Sequence, residues 1–180
     1  MHPRTDEMLR HLDANRVVLR AAVDSVAAEL RETRPHPGRW SVAEVLEHLA
    51  RVESSLARLL GAKLTEANAA GRLPPATDVS PIAGSLNHDR IVDRRRAITA
   101  GERVLPRGEM DSAMALAALE TSRQSLRELL TTLDGLDLSG FTMPHPALGI
   151  INGYQWFLFL GSHEARHAGQ IREIGASVCG

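Results

Sequence analysis

Apolar positions recur at helical spacing in four long stretches of the chain. Over residues 5–34, Met8, Leu12, Leu19, Val23, Val26 and Leu30 share one face, with arginines and acids elsewhere. Pro35, Pro37 and Gly38 end this first predicted helix. Ser41-Val42-Ala43-Glu44 reads as a capping box, with Ser41 at the N-cap and Glu44 three residues on. It predicts a second helix from about Val42 to about Ala70, striped by Val42, Val45, Leu46, Leu49, Val52, Leu56, Leu60 and Leu64. A third runs from about Asp111, a suitable N-cap, to Leu133, with Leu116, Leu119, Leu126, Leu130 and Leu133 in its stripe and Asp134-Gly135 at its end. The fourth starts near Asn152 or Gly153. Phe157, Leu160, Glu164, His167, Ile171, Ile174 and Val178 follow there in alternating steps of three and four.

Between these helices, residues 71–109 break the pattern with Gly71, Pro74, Pro75, Pro81, Gly84, Gly101, Pro106 and Gly108. A short helix from about His88 to Thr99 fits inside this connection, and the Arg94-Arg95-Arg96 triplet, with Asp89, Asp93 and Glu102 nearby, reads as a solvated face. So long a connection is expected to cross the bundle or cover a site. Residues 141–149 read as a loop, and no stretch reads as a strand. The expected fold is all-α: one domain over residues 1–180, an antiparallel four-helix bundle with a long crossover connection between helices 2 and 3. Gly161 and Gly169 fall inside the fourth helix, where each costs up to about 1 kcal/mol against alanine. Close approach of a neighbour and simple tolerance explain them equally well.

Composition agrees with helices. Of 180 residues, 43% are hydrophobic and only 3% aromatic, so little of the apolar content has β-forming character. The formal net charge of −1 gives no global basic field for nucleic acid. The single cysteine, Cys179, makes no internal disulfide, which suits a reducing cytoplasm. No run of about 18 apolar residues suggests a membrane span, and the first residues lack the apolar core of a signal peptide.

The chemistry concentrates in His163-Glu164-Ala165-Arg166-His167. Histidines at i and i+4 lie one turn apart on one face, as metal ligands on a helix do. Catalytic zinc sites keep three protein ligands and an open position. Periodicity leaves the third ligand open; His48, at the flank of the second helix's stripe, is a candidate. The stretch also satisfies H-E-x-x-H, the pattern of zinc proteases. The extended form of that pattern wants glycine where Gln170 stands and histidine where Glu173 stands, and no strand is predicted to align a peptide, which argues against a protease.

Three stretches, in order, resemble the DinB-like superfamily of four-helix metal-binding proteins: Trp40-Ser41-Val42-Ala43-Glu44-Val45-Leu46-Glu47-His48-Leu49, His145-Pro146-Ala147-Leu148-Gly149, and His163-Glu164-Ala165-Arg166-His167-Ala168-Gly169-Gln170-Ile171. The resemblance implies a bundle with a crossover and a divalent metal ion held by His48, His163 and His167. Three imidazoles suit zinc, nickel or iron. It also implies thiol-dependent S-transfer or hydrolysis of a small-molecule substrate, with a low-molecular-weight thiol as second substrate in the first case. A non-catalytic, stress-related metal- or ligand-binding bundle is the alternative. Glu164 is the expected general base or orienting group, set against a salt bridge to Arg51 or Arg123. Gln170, on the ligand face, is expected to support a ligand or a bound water. His145, between Pro144 and Pro146, reads as structural, as do Glu44 (a cap) and Trp40 and Trp156 (core or pocket wall). His2, His11, His36 and His88 carry no supporting pattern. An exposed bundle face leaves room for a homodimer.

Overall fold

The computed structural model describes residues 1–95 and 101–178. Its elements in chain order are α1 (Pro3–Asp24), α2 (Val42–Ala69), the short α3 (His88–Val92), α4 (Ser112–Thr132), the strands β1 (Thr142–His145) and β2 (Gly149–Asn152), and α5 (Gly153–Val178). The four long helices are those the apolar stripes predict. Ser41 and Glu44 form the capping box that starts α2, and the Asp111 side chain caps α4. Asn152 and Gln155 exchange side-chain and backbone hydrogen bonds where α5 begins.

Three expectations are corrected. The first helix stops at Asp24 instead of reaching residue 34. The Val26 N–H bonds to the Val23 carbonyl in a tighter turn, and Val26 drops onto the bare backbone of Gly175 in α5. The helix expected over 88–99 covers only His88–Val92, because Arg166 takes the carbonyls of Ile91 and Asp93 at its end. Residues 93–95 leave the helix, and residues 96–99 of that expectation, with Arg96, lie outside the described residues, as does Cys179. The expected loop at 141–149 contains half of a hairpin in which Thr142 pairs with Asn152 and His145 with Gly149. Gly149, at φ +77°, closes its turn. Strands of four residues are too short for a periodicity to show.

The core splits into two apolar clusters. One joins Met8, Leu12, Leu60, Leu64, Leu126, Leu130 and Phe157. The other joins Leu19, Val23, Val45, Leu46, Leu119, Ile171 and Ile174. Along the bundle axis, then, α1 and α5 ascend together while α2 and α4 descend together. Antiparallel pairing holds between α1 and α2 and between α4 and α5; the crossover makes α2 and α4 parallel, and α1 packs on α5 and α2 on α4. A helix of 28 residues is about 42 Å long, so the chain must travel back along the bundle before α4 can start.

The described parts of the return path are tied to the helices. The Arg4 guanidinium donates to the Ser80 carbonyl and pairs with Asp78, and Glu7 accepts from the backbone N–H groups of Ile82 and Ala83. α3 then lies on α5, where Arg94 clasps Glu173 through two bonds of 2.7 Å. Finally the buried carboxylate of Glu47 accepts from the N–H groups of Arg107 and Gly108, at 3.0 and 2.9 Å. That holds the last part of the crossover against the start of α2.

Glycine positions report the closest packing. An added Cβ at Gly161 would lie 2.6 Å from the His11 ring, and one at Gly169 would lie 3.0 Å from Arg94. Both glycines therefore mark close approach rather than mere tolerance.

Candidate metal centre

His48 projects from α2 toward α5 and meets His163 and His167. Ring centroids are 5.3 Å apart for His48 and His163, 4.9 Å for His48 and His167, and 4.6 Å for the α5 pair. One ligand nitrogen from each of the three lies within 4.8 Å of the other two. The Nε2 atoms of His163 and His167 are 3.1 Å apart. A metal–nitrogen bond of about 2.0–2.1 Å puts adjacent ligand nitrogens roughly 3.0–3.4 Å apart, so that pair has the spacing of a shared ion.

Neighbours fix which nitrogen each ring offers. His48 Nδ1 lies 2.7 Å from the Val104 carbonyl, and a carbonyl only accepts, so Nδ1 carries the hydrogen and Nε2 keeps its lone pair. His167 Nδ1 lies 2.8 Å from Gln170 Oε1 and is fixed the same way. Phe159 stacks on His163 at 5.3 Å, and Trp40 covers His48 at 5.1 Å. His48 and His167 are buried, while His163 keeps a partly exposed edge.

Burial and mutual repulsion keep all three rings neutral, the form that binds metal. Burial lowers the pKa of His48. It lowers His163 well below its ordinary value, with His167 and His48 adding repulsion. Burial and the neighbouring His48 bring His167 down to about 3. Because the folded-state values lie below the ordinary 6.5, the stability these groups contribute is complete above pH 6.5 and is lost as pH falls toward 3. For metal-free protein, His167 alone is expected to cost about 2 kcal/mol on going from pH 7.5 to 5.0. Denaturant midpoints at the two pH values check this. His167→Leu is expected to lose less on acidification than wild type, and equal losses would contradict the assignment.

Glu164 does not join the histidines. Its Oε1 accepts from Arg16 at 2.9 and 2.6 Å, and its Oε2 is ion-paired with Arg123 at 3.1 Å. Glu53 completes this buried layer. It accepts from Arg16, Arg123 and Ser122, and Glu120 closes the layer's outer side. Burial raises the Glu164 carboxyl to about 7 against the pull of Arg123 and Arg16. The expected base is thus a structural ion-pair residue, partnered by Arg123 and Arg16 and not by Arg51. One helical step of 100° separates it from His163 and turns it into the core.

Several contributors escaped sequence reasoning. The Val104 carbonyl comes from the crossover, 56 residues from His48. Glu47, one residue before His48, anchors the same loop. His11 and His88, which carried no pattern, meet at Ser162. His11 Nε2 donates to the Leu158 carbonyl at 2.9 Å, and His88 Nδ1 lies 2.9 Å from the Ser162 hydroxyl. They clamp α1 and α3 onto α5 one residue before His163. His2 caps α1, and Glu44 bonds Arg34 beside its capping role. Only the i, i+4 pair and the capping box carried a local signal.

With this geometry in place, the similarity to known proteins is informative. The family profile described as the DinB superfamily matches residues 11–171, and the chain belongs to that superfamily. It is 25% identical over 146 residues to the Uncharacterized protein YuaE of Bacillus subtilis (strain 168), spanning 81% of this chain and 83% of that protein. The crystal structure of TT2238, a four-helix bundle protein, superposes with a TM-score of 0.55 at 23% identity, covering 94% of this chain and 98% of that one. This last likeness speaks to the fold. The three-histidine cluster can hold a metal ion, and no helix among the described residues is long and apolar enough to cross a membrane.

Proposed function

We propose that this protein is a metal-dependent enzyme of small molecules, a thiol-dependent S-transferase ahead of a hydrolase. His48, His163 and His167 would hold the divalent ion, zinc, nickel or iron. The observation that carries this reading is the donor set: three neutral imidazoles, two with Nδ1 tied back by an acceptor, and one with an edge toward solvent. Three neutral ligands leave a divalent ion its full charge. When bound, it supplies Lewis acidity that lowers the pKa of a water or thiol beside it. The chain's own part is to orient the rings: Val104 and Gln170 set the tautomers, Trp40 and Phe159 pack the ring faces, and the Glu47-anchored loop shields His48 from water. The priority of thiol transfer comes from the family resemblance.

The test is thiol consumption by metal-loaded protein, with cysteine as the thiol and 1-chloro-2,4-dinitrobenzene as the electrophile. Wild type is expected to consume thiol well above the metal-free rate, and His163→Ala to fall to that rate. Equal rates in both would remove the transferase reading. The alternative, a non-catalytic metal- or ligand-binding bundle, is tested in the same assay. Tight metal binding with no metal-dependent turnover of any thiol or ester would decide for it.

A further inference from the structure

The hairpin before α5 brings a second functional group beside the triad. Trp156, Phe159, His163 and His167 stand in steps of three and four along α5, so they form one strip down the helix. His145, at the end of β1, lies over the upper part of that strip. Its ring is 4.3 Å from Phe159 and 5.1 Å from Trp156, and Phe159 in turn stacks on His163. One aromatic ring therefore separates His145 from the metal ligand.

The His145 ring has a set orientation. The Ala147 backbone N–H donates to its Nδ1 at 3.1 Å, so in the neutral ring the hydrogen sits on Nε2. Pro144 and Pro146 stiffen the backbone on both sides. His145 is partly exposed, as is His163. Beneath it, the indole N–H of Trp156 is buried with no hydrogen-bond partner among the described residues, an arrangement native cores seldom keep without a ligand or water to satisfy it. These features make more than a turn: a rigid donor, an apolar floor and an orphan donor share one ring cluster beside the triad.

We propose that His145 is a substrate-positioning residue of the metal centre, its Nε2–H receiving the acceptor group of an elongated substrate whose metal-seeking atom lies at the triad and whose apolar middle spans the distance between His163 and His145. The substrate class that fits has a soft or anionic head, a ring-sized apolar spacer and a carboxylate or carbonyl at the far end. This rests on the metal reading above and adds to it the chemistry of the far end.

The experiment uses the cobalt-loaded 180-residue chain and follows the thiolate-to-cobalt absorption during titration with two probes, benzenethiol and 4-mercaptobenzoate. The two differ only by a carboxylate on the far side of the ring. Wild type is expected to bind 4-mercaptobenzoate about tenfold more tightly than benzenethiol, the scale of a hydrogen bond to a charged acceptor. H145F keeps the ring packing and removes the donor, so the advantage should vanish while benzenethiol binding and cobalt content stay as in wild type. H145Q restores a donor and should recover part of the advantage. Equal weakening of both probes in H145F, or an undiminished advantage, overturns the proposal and leaves the metal site standing. No thiolate band with either probe in cobalt-loaded wild type overturns the metal reading and this one with it.

Discussion

His163→Ala, His167→Ala and His48→Ala are each expected to abolish stoichiometric metal binding. Wild type should retain close to one divalent ion per chain after exhaustive dialysis, and each variant should retain little. Losing a group that merely orients a ligand costs about 10–100-fold in metal affinity, and deleting one of three ligands should exceed that. The fold should survive, because the triad lies at the margin of the apolar clusters and contributes no large buried apolar area to either. Metal analysis beside circular dichroism checks both halves. Unchanged metal content in all three variants would show that these imidazoles are ordinary packed histidines.

The second large effect is on stability. Glu53→Ala is expected to destabilise the protein by about 3–5 kcal/mol, lowering Tm by roughly 6–20 °C. Glu53 is almost fully buried and accepts hydrogen bonds from Arg16, Arg123 and Ser122. Without it, two buried guanidinium groups share Glu164 and the half-exposed Glu120. Removing one member of a buried ionic group strands the others, whereas replacing the whole group with apolar side chains of similar size is often neutral or stabilising. The combined variant Arg16→Met, Glu53→Leu, Arg123→Met, Glu164→Leu should therefore unfold no earlier than Glu53→Ala. A loss below about 1 kcal/mol for Glu53→Ala would mean that the layer is hydrated.

This ionic layer bears on the site through geometry. It divides the two apolar clusters at the level of Glu164, and Arg16 and Arg123 grip that residue from α1 and α4. The grip fixes the rotation of α5 about its own axis, and so where the neighbouring His163 faces. Specificity of arrangement is the best-attested use of buried polar groups. Here it would hold α5 in register with α2, which carries the third imidazole.

Sequence reasoning was strongest where a signal is local and repeated. Four apolar stripes and two side-chain caps marked the four long helices to within a few residues at most ends. The His163/His167 pair was visible because four residues make one turn. His48 came from resemblance, since nothing local distinguishes a histidine facing a partner helix from one facing water. Glu164 was half legible: the alternative salt bridge to Arg123 is present, and the one to Arg51 is replaced by Arg16. Its place on the core stripe was right, but periodicity says only that a residue points inward, not which polar group it will meet. Its partners Arg16 and Arg123 stand 148 and 41 residues away along the chain. The hairpin and the Val104 carbonyl escaped for related reasons: four-residue strands have no period to read, and a backbone acceptor carries no side-chain signature.

The most direct measurement of the central claim is X-ray absorption at the metal edge of the metal-loaded protein. Three imidazole nitrogens in the first coordination shell is the predicted result, with no metal edge above background in dialysed His48→Ala. A shell of oxygens or sulfurs, or a three-imidazole spectrum that persists in His48→Ala, would contradict it.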